Sequence, residues 1–107
     1  MEIDILKGVA GFEWDTYNIA HIAEHDVLPS EAEEVFIDKN NVLDDDPEHS
    51  LTESRFLIIG KTKQKRLLYQ IFTRRGDKIR VISSRDISKS KEVKLYEKET
   101  GRTKVSK

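Results

Sequence analysis

The stretch RFLIIGKTKQKRLLYQIFTRRGDKIRVISS, residues 55–84, decides the fold. Three runs within it, 55–60, 67–73 and 79–84, are rich in branched and aromatic residues, which suit extended chain on a pleated surface. Residues 61–66 join the first pair. Arg74-Arg75-Gly76-Asp77 joins the second, and Gly76 can take the positive φ that a tight reversal needs. Connections this short make an antiparallel meander. Its strands are apolar on both parities, as in Leu67-Leu68 and Val81-Ile82, so helices are expected to cover at least one side.

Such helices are expected on both flanks. Phe12-Glu13-Trp14-Asp15 reads as a short extended piece ending in an N-cap, because the Asp15 carboxylate can accept from the free N–H groups of the next turn. Ile19, Ile22 and Ala23 then recur at helical spacing over 16–25, and Asp26-Val27 ends that helix. Ser30 and Glu33 have the spacing of a capping box before a second helix with Ala32, Val35 and Phe36 as its apolar stripe. Residues 38–50 are a polar connector in which Val42-Leu43 could form a short strand. Past the meander, Asp86 or Ser88 caps a last helix over about 88–98, ending near Gly101, and a basic tail, 102–107, follows. The expectation is an α+β fold: two short N-terminal helices, an antiparallel β meander and a C-terminal helix. With 107 residues and no internal repeat, one domain spanning 1–107 is expected, its core within about 10–98.

Composition narrows the function. There is no cysteine, which removes disulfides, thiolate metal sites and a cysteine nucleophile. The start, Met1-Glu2-Ile3-Asp4, lacks the layout of a signal peptide, and no apolar run approaches the roughly 20 residues that span a bilayer. No membrane association and a cytoplasmic location are expected. The net charge of −1 conceals a division: residues 1–54 carry 15 acidic and 2 basic side chains, residues 55–107 carry 5 acidic and 17 basic. A basic half of this kind points to a polyanion, RNA first among them. The competing reading is that the fold interleaves the halves and the charges pair.

Individual residues sharpen this. Strand residues two apart share a face, so regular alternation puts Arg80, Ile82 and Ser84 on one side and Ile79, Val81, Ser83 and Arg85 on the other. An arginine inside a strand needs a partner, since an unpaired buried charge is costly. For Arg80 that is a carboxylate such as Glu13 or Glu53, or a phosphate. For Arg74 and Arg85, at strand ends, phosphate is favoured. Arg55, Lys61, Lys63, Lys65 and Arg66 are expected to contact RNA diffusely. His21 and His25, four apart, share a helix face and are acid/base candidates. Two ligands make a poor metal site even with His49 nearby, so no metal and no cofactor are expected. Trp14 reads as a core plug rather than a stacking platform.

Taken in order, Phe12-Glu13-Trp14-Asp15, Asn18, His21-Ile22, His25 and Glu31-Ala32-Glu33-Glu34-Val35-Phe36 resemble the N-terminal signature of the BrnT-like toxins. His49-Ser50, Glu53, Arg55, Ile59-Gly60, Thr62, Arg66-Leu67, Phe72-Thr73, the run from Arg80 to Arg85, Ser88-Lys89, Glu92 and Tyr96-Glu97 continue it, over about residues 10–98. Two departures stand out: Asp26 and Lys65 occupy positions where the family often has glycine. The resemblance implies a RelE-like fold and an endoribonuclease toxin of a type II toxin–antitoxin pair. It also implies a BrnA-like ribbon-helix-helix antitoxin that binds operator DNA, in a hetero-oligomeric complex. The expected reaction is metal-independent cleavage of RNA by attack of a ribose 2′-hydroxyl, arresting growth. Arg80 and Arg85 would hold the phosphate with Arg74 supporting, and Glu53, His21 or His25 would serve as acid or base. The rivals are a non-catalytic RNA- or antitoxin-binding module and a metal-dependent nuclease built on the histidines.

Overall fold

The computed structural model describes residues 5–46, 53–87, 93–94 and 96–97. Five strands form one sheet: β1 (Gly11–Phe12), β2 (Val42–Asp45), β3 (Phe56–Lys61), β4 (Leu67–Arg75) and β5 (Lys78–Asp86). Two helices, α1 (Thr16–Ala23) and α2 (Pro29–Ile37), lie between β1 and β2. The sheet order is β1-β5-β4-β3-β2, antiparallel except for the β1–β5 pair. The meander is therefore extended by a strand at each edge. The expected C-terminal helix falls largely outside the described residues; within it, positions 93, 94, 96 and 97 are helical.

The local chemistry at α1 is as its sequence suggests: Asp15 accepts from the N–H groups of Tyr17 and Asn18, and Asn18 accepts from the Asp15 N–H. The start of α2 differs from the Ser30/Glu33 expectation. Pro29, whose ring presets a helical φ, takes the first helical position, and the Glu31 carboxylate reaches back to the Leu28 N–H. That frees Glu33, which accepts from the Trp14 indole N–H at 2.8 Å. Trp14 packs against the core cluster, in keeping with a plug.

Packing places both helices on one side of the sheet. Ile22, Val27, Ala32 and Val35 meet Ile58, Leu68, Phe72, Ile79 and Val81, all buried. Phe36 packs edge-on against both Phe12 and Phe72, at 5.3 and 5.0 Å between ring centroids. Gly60 lets α2 approach β3 closely: a Cβ there would lie 2.9 Å from the Val35 side chain and 3.1 Å from its carbonyl. Two buried amides tie the layers without leaving orphans. Gln70 donates to the Ala32 carbonyl and accepts from the Ser84 hydroxyl, and Asn18 donates to the carbonyls of Glu13 and Val81.

Two non-glycine residues adopt positive φ, Asp26 at 58° and Lys65 at 73°. These are the two positions where the resembled family often carries glycine. Asp26 ends α1, where a left-handed residue turns the chain and aspartate tolerates the conformation. Lys65 sits in the β3–β4 loop, where its side chain adds a steric cost that glycine avoids.

Regular alternation fails along β5. Ser83 pairs with Ile71 and Val81 with Phe72, which leaves Ile82 as the extra residue of a β-bulge. The bulge reverses the parity downstream. Val81 and Ser84 both face the helices, whereas Arg80, opposite Thr73, and Arg85, opposite Tyr69, face the second side together. The expected placement of Arg80 with Ser84, and of Arg85 with Val81, is thus corrected.

Candidate active site

Where α1 meets β5, a shallow cleft of about 270 Å³ is lined by Tyr17, Asn18, His21, Arg55, Arg75, Arg80 and Ile82. Each side chain arrives there for a local reason. Asn18 and Ile22 lock the buried side of α1, which leaves Tyr17 and His21, one turn apart, on an adjacent exposed face. Arg80 comes from β5 just before the bulge, and Ile82 is the bulged residue itself. Arg75 is the last residue of β4, because the hairpin loop is only Gly76-Asp77, with Gly76 at φ 62°. Sequence reading assigned Arg75 to the turn and gave it no role. Tyr17 went unremarked as well; its phase one turn before His21 is the signal that marks it.

Carboxylates hold the arginines. The Arg80 guanidinium, 12% exposed, lies 2.9 Å from Asp15 and 3.3 Å from Glu13. Arg75 lies 3.0 Å from Glu53 and 3.5 Å from Glu13. Hydrogen bonding from Arg80 pulls the Asp15 carboxyl below its ordinary value, and Arg75 does the same to Glu53. Both are therefore ionised at neutral pH and weakly basic. Their folded values lie below the unfolded ones, so their stabilisation is complete above the ordinary carboxylate range and is lost as pH falls through the folded values. Urea unfolding is expected to show a flat midpoint from neutrality to about pH 5 and a fall below about pH 4. A midpoint that rises on acidification would contradict these pairs.

The other expected site residues are dispersed. Arg74 turns to the N-terminal segment, donating to the carbonyls of Ile5, Lys7 and Gly76, so it anchors backbone. Arg66 binds Asp86, Glu31 and the carbonyls of His25 and Asp26. Arg85 stacks over the Tyr69 ring, 4.3 Å from its centroid. His25 is exposed beyond the end of α1 and does not line the cleft; His49 lies outside the described residues. Lys61, Lys63 and Lys65 line a different cleft, about 360 Å³, with Glu34, Asp38 and Tyr96. The structure thus brings together Arg55, Arg80 and His21, and adds Arg75, which holds Glu53. Among the described residues, no cluster of three or more His, Asp or Glu is arranged to hold a metal ion, and no helix is long and apolar enough to cross a membrane.

A family model described as "Ribonuclease toxin, BrnT, of type II toxin-antitoxin system" matches residues 14–91. No curated protein matches the chain significantly.

Proposed function

From the premise that this chain belongs to the BrnT family of type II ribonuclease toxins, we propose that it cleaves RNA at the arginine cleft, without a metal, by attack of a ribose 2′-hydroxyl on the adjacent phosphate. The observation that carries this reading is the convergence of Arg55, Arg75, Arg80 and His21 on one cleft. In the reaction the 2′-oxygen forms a bond to phosphorus as the bond to the 5′-oxygen breaks, giving a cyclic phosphate and a 5′-hydroxyl. A proton leaves the 2′-hydroxyl and another reaches the departing oxygen. Charge accumulates on the phosphate oxygens between these steps. Arginine forks meet such oxygens in pairs and keep their charge, and donors fixed beforehand lower the barrier most. Arg80 is assigned this role with Arg75 and Arg55. Asp15 and Glu13 hold the Arg80 fork, and Glu53 and Glu13 the Arg75 fork, before RNA arrives.

His21 is the acid/base group of this reading, because it lines the cleft and an imidazole can both accept and donate a proton. Glu53 is better suited to positioning Arg75, since its lowered pKa makes it a poor base. Arg85 would touch RNA beyond the cleft, on the side of the sheet that Arg80 faces. Unrestrained, the chain would arrest growth, and a ribbon-helix-helix antitoxin of the BrnA kind would neutralise it by covering the arginines.

The test is turnover. With protein at about one hundredth of the RNA concentration, cleavage is expected to consume the substrate and leave cyclic phosphate ends. A chelator should not slow it, and the antitoxin should abolish it. Stoichiometric RNA binding without cleavage would instead establish the non-catalytic module, and loss of activity in chelator would establish the metal-dependent rival.

A further inference from the structure

Phosphate contacts leave the bases of a bound RNA unaccounted for, and two residues of the cleft have the chemistry to meet one. Tyr17 is 82% exposed, the most exposed large hydrophobic side chain among the described residues. It shares the cleft with Arg55, Arg75, Arg80, His21 and the bulged Ile82. Exposed tyrosine contributes little to a core, so its ring is not accounted for by folding. Yet its backbone is fixed, since the Tyr17 N–H donates to the Asp15 N-cap at 2.9 Å and the next residue, Asn18, is buried against β5. A flat ring on a rigid helical turn, beside cationic forks, is how proteins hold unpaired nucleotides: the cations take the backbone and the ring takes a base.

We propose that Tyr17 is a stacking platform for a nucleobase of the RNA, with Ile82 supplying aliphatic contact in the same cleft, so that the base and its phosphate bind together. The proposal rests on the ribonuclease reading above. Stacking favours any base over none, so it raises affinity for single-stranded RNA and excludes duplex, whose bases are already stacked. A protein partner could also cover an exposed tyrosine. RNA is favoured because the ring shares its cleft with three arginines and a histidine, the groups that recognise a phosphodiester.

The experiment compares wild type with Tyr17→Ala and Tyr17→Phe on a short single-stranded RNA and on the same RNA carrying one abasic nucleotide, scanned along the cleavage site. Tyr17→Ala is expected to raise KM and Kd by about 10- to 100-fold, the range for losing one base–aromatic contact, with kcat and melting temperature little changed. Tyr17→Phe should behave as wild type, because the π-face remains. At one position the abasic substitution should weaken wild type by a similar factor and leave Tyr17→Ala unaffected. Unchanged affinity in Tyr17→Ala would overturn the proposal, as would equal damage in Tyr17→Phe, or loss of antitoxin binding with RNA binding intact. Because Kd is measured without turnover, absence of cleavage by wild type would count against the ribonuclease reading alone.

Discussion

Replacing Arg80 by lysine is expected to lower RNA cleavage by about 100-fold or more, the scale set by loss of one preorganised donor at a developing charge. RNA affinity should change little, since lysine still neutralises a phosphate. What is lost is the fork. Arg80 reaches Asp15 through two nitrogens, at 2.9 and 3.2 Å, and Glu13 through one, at 3.3 Å. An ammonium group on a flexible stem cannot reproduce that orientation. The same bonds give Arg80 a structural part, because they join β5 to the start of α1. Thermal melting must therefore accompany kinetics. Lost cleavage with a normal melt supports transition-state stabilisation. Lost cleavage with a collapsed melt makes Arg80 a strut between strand and helix. Unchanged cleavage removes it from the mechanism and shifts the phosphate role to Arg75 and Arg55.

How far the sequence reveals the fold depends on the length of each signal. The three long strands and the Asp15 cap were legible because many residues or a specific hydrogen-bond geometry mark each. β1, two residues long, and β2, which runs into Asp44 and Asp45, carry too little alternation to fix their pairing or bounds, although Val42-Leu43 read as a possible short strand and Phe12 as part of an extended piece, and both lie in strands. They are strands because neighbours offer them an edge, a property of tertiary structure. The bulge at Ile82 was hidden for a related reason. A period of two was assumed throughout, and one extra residue brought Arg80 and Arg85 onto the same face. Arg75 was lost by treating a two-residue loop as four.

The site was legible in kind more than in membership. Strand arginines drew attention, Arg80 among them lines the cleft, and Glu13, named as a partner for Arg80, lies 3.3 Å from it. Spacing alone could not show that Arg74 would spend its donors on main-chain carbonyls while Arg75, one residue on, faced the cleft. The charge division resolves the same way. The fold sets Glu13 and Asp15, just before α1, together with Glu31 of α2 and Glu53, against the basic strands, so Arg66, Arg75 and Arg80 all pair with carboxylates. Pairing and polyanion binding are compatible at the cleft, because a phosphate offers the forks the same oxygen geometry as a carboxylate.

Arg66 separates the two uses of arginine most sharply, and Arg66→Ala is expected to damage stability and spare chemistry. Its guanidinium bonds to Asp86 at 2.7 and 3.0 Å, to Glu31 at 3.1 Å, and to the carbonyls of Asp26 and His25 at 2.7 and 2.9 Å. Those carbonyls follow the C-terminal end of α1, where a cation is favoured by the unsatisfied acceptors. One side chain thus joins the exit of α1, the first turn of α2, the start of β4 and the end of β5. Charge-assisted hydrogen bonds are each worth about 1.5–3 kcal/mol, but they share one group and Asp86 is largely solvated, so the sum is discounted. A loss of about 2–4 kcal/mol is expected, which for a chain of this size lowers the melting temperature by roughly 10–20 °C. Cleavage, measured where the variant remains folded, should stay within about threefold of wild type, since Arg66 does not line the arginine cleft. A normal melt with cleavage reduced about 100-fold would reverse the assignment. Arg66 would then belong to the RNA site, and the surface that grips RNA would have to run from the cleft to the β3–β4 loop.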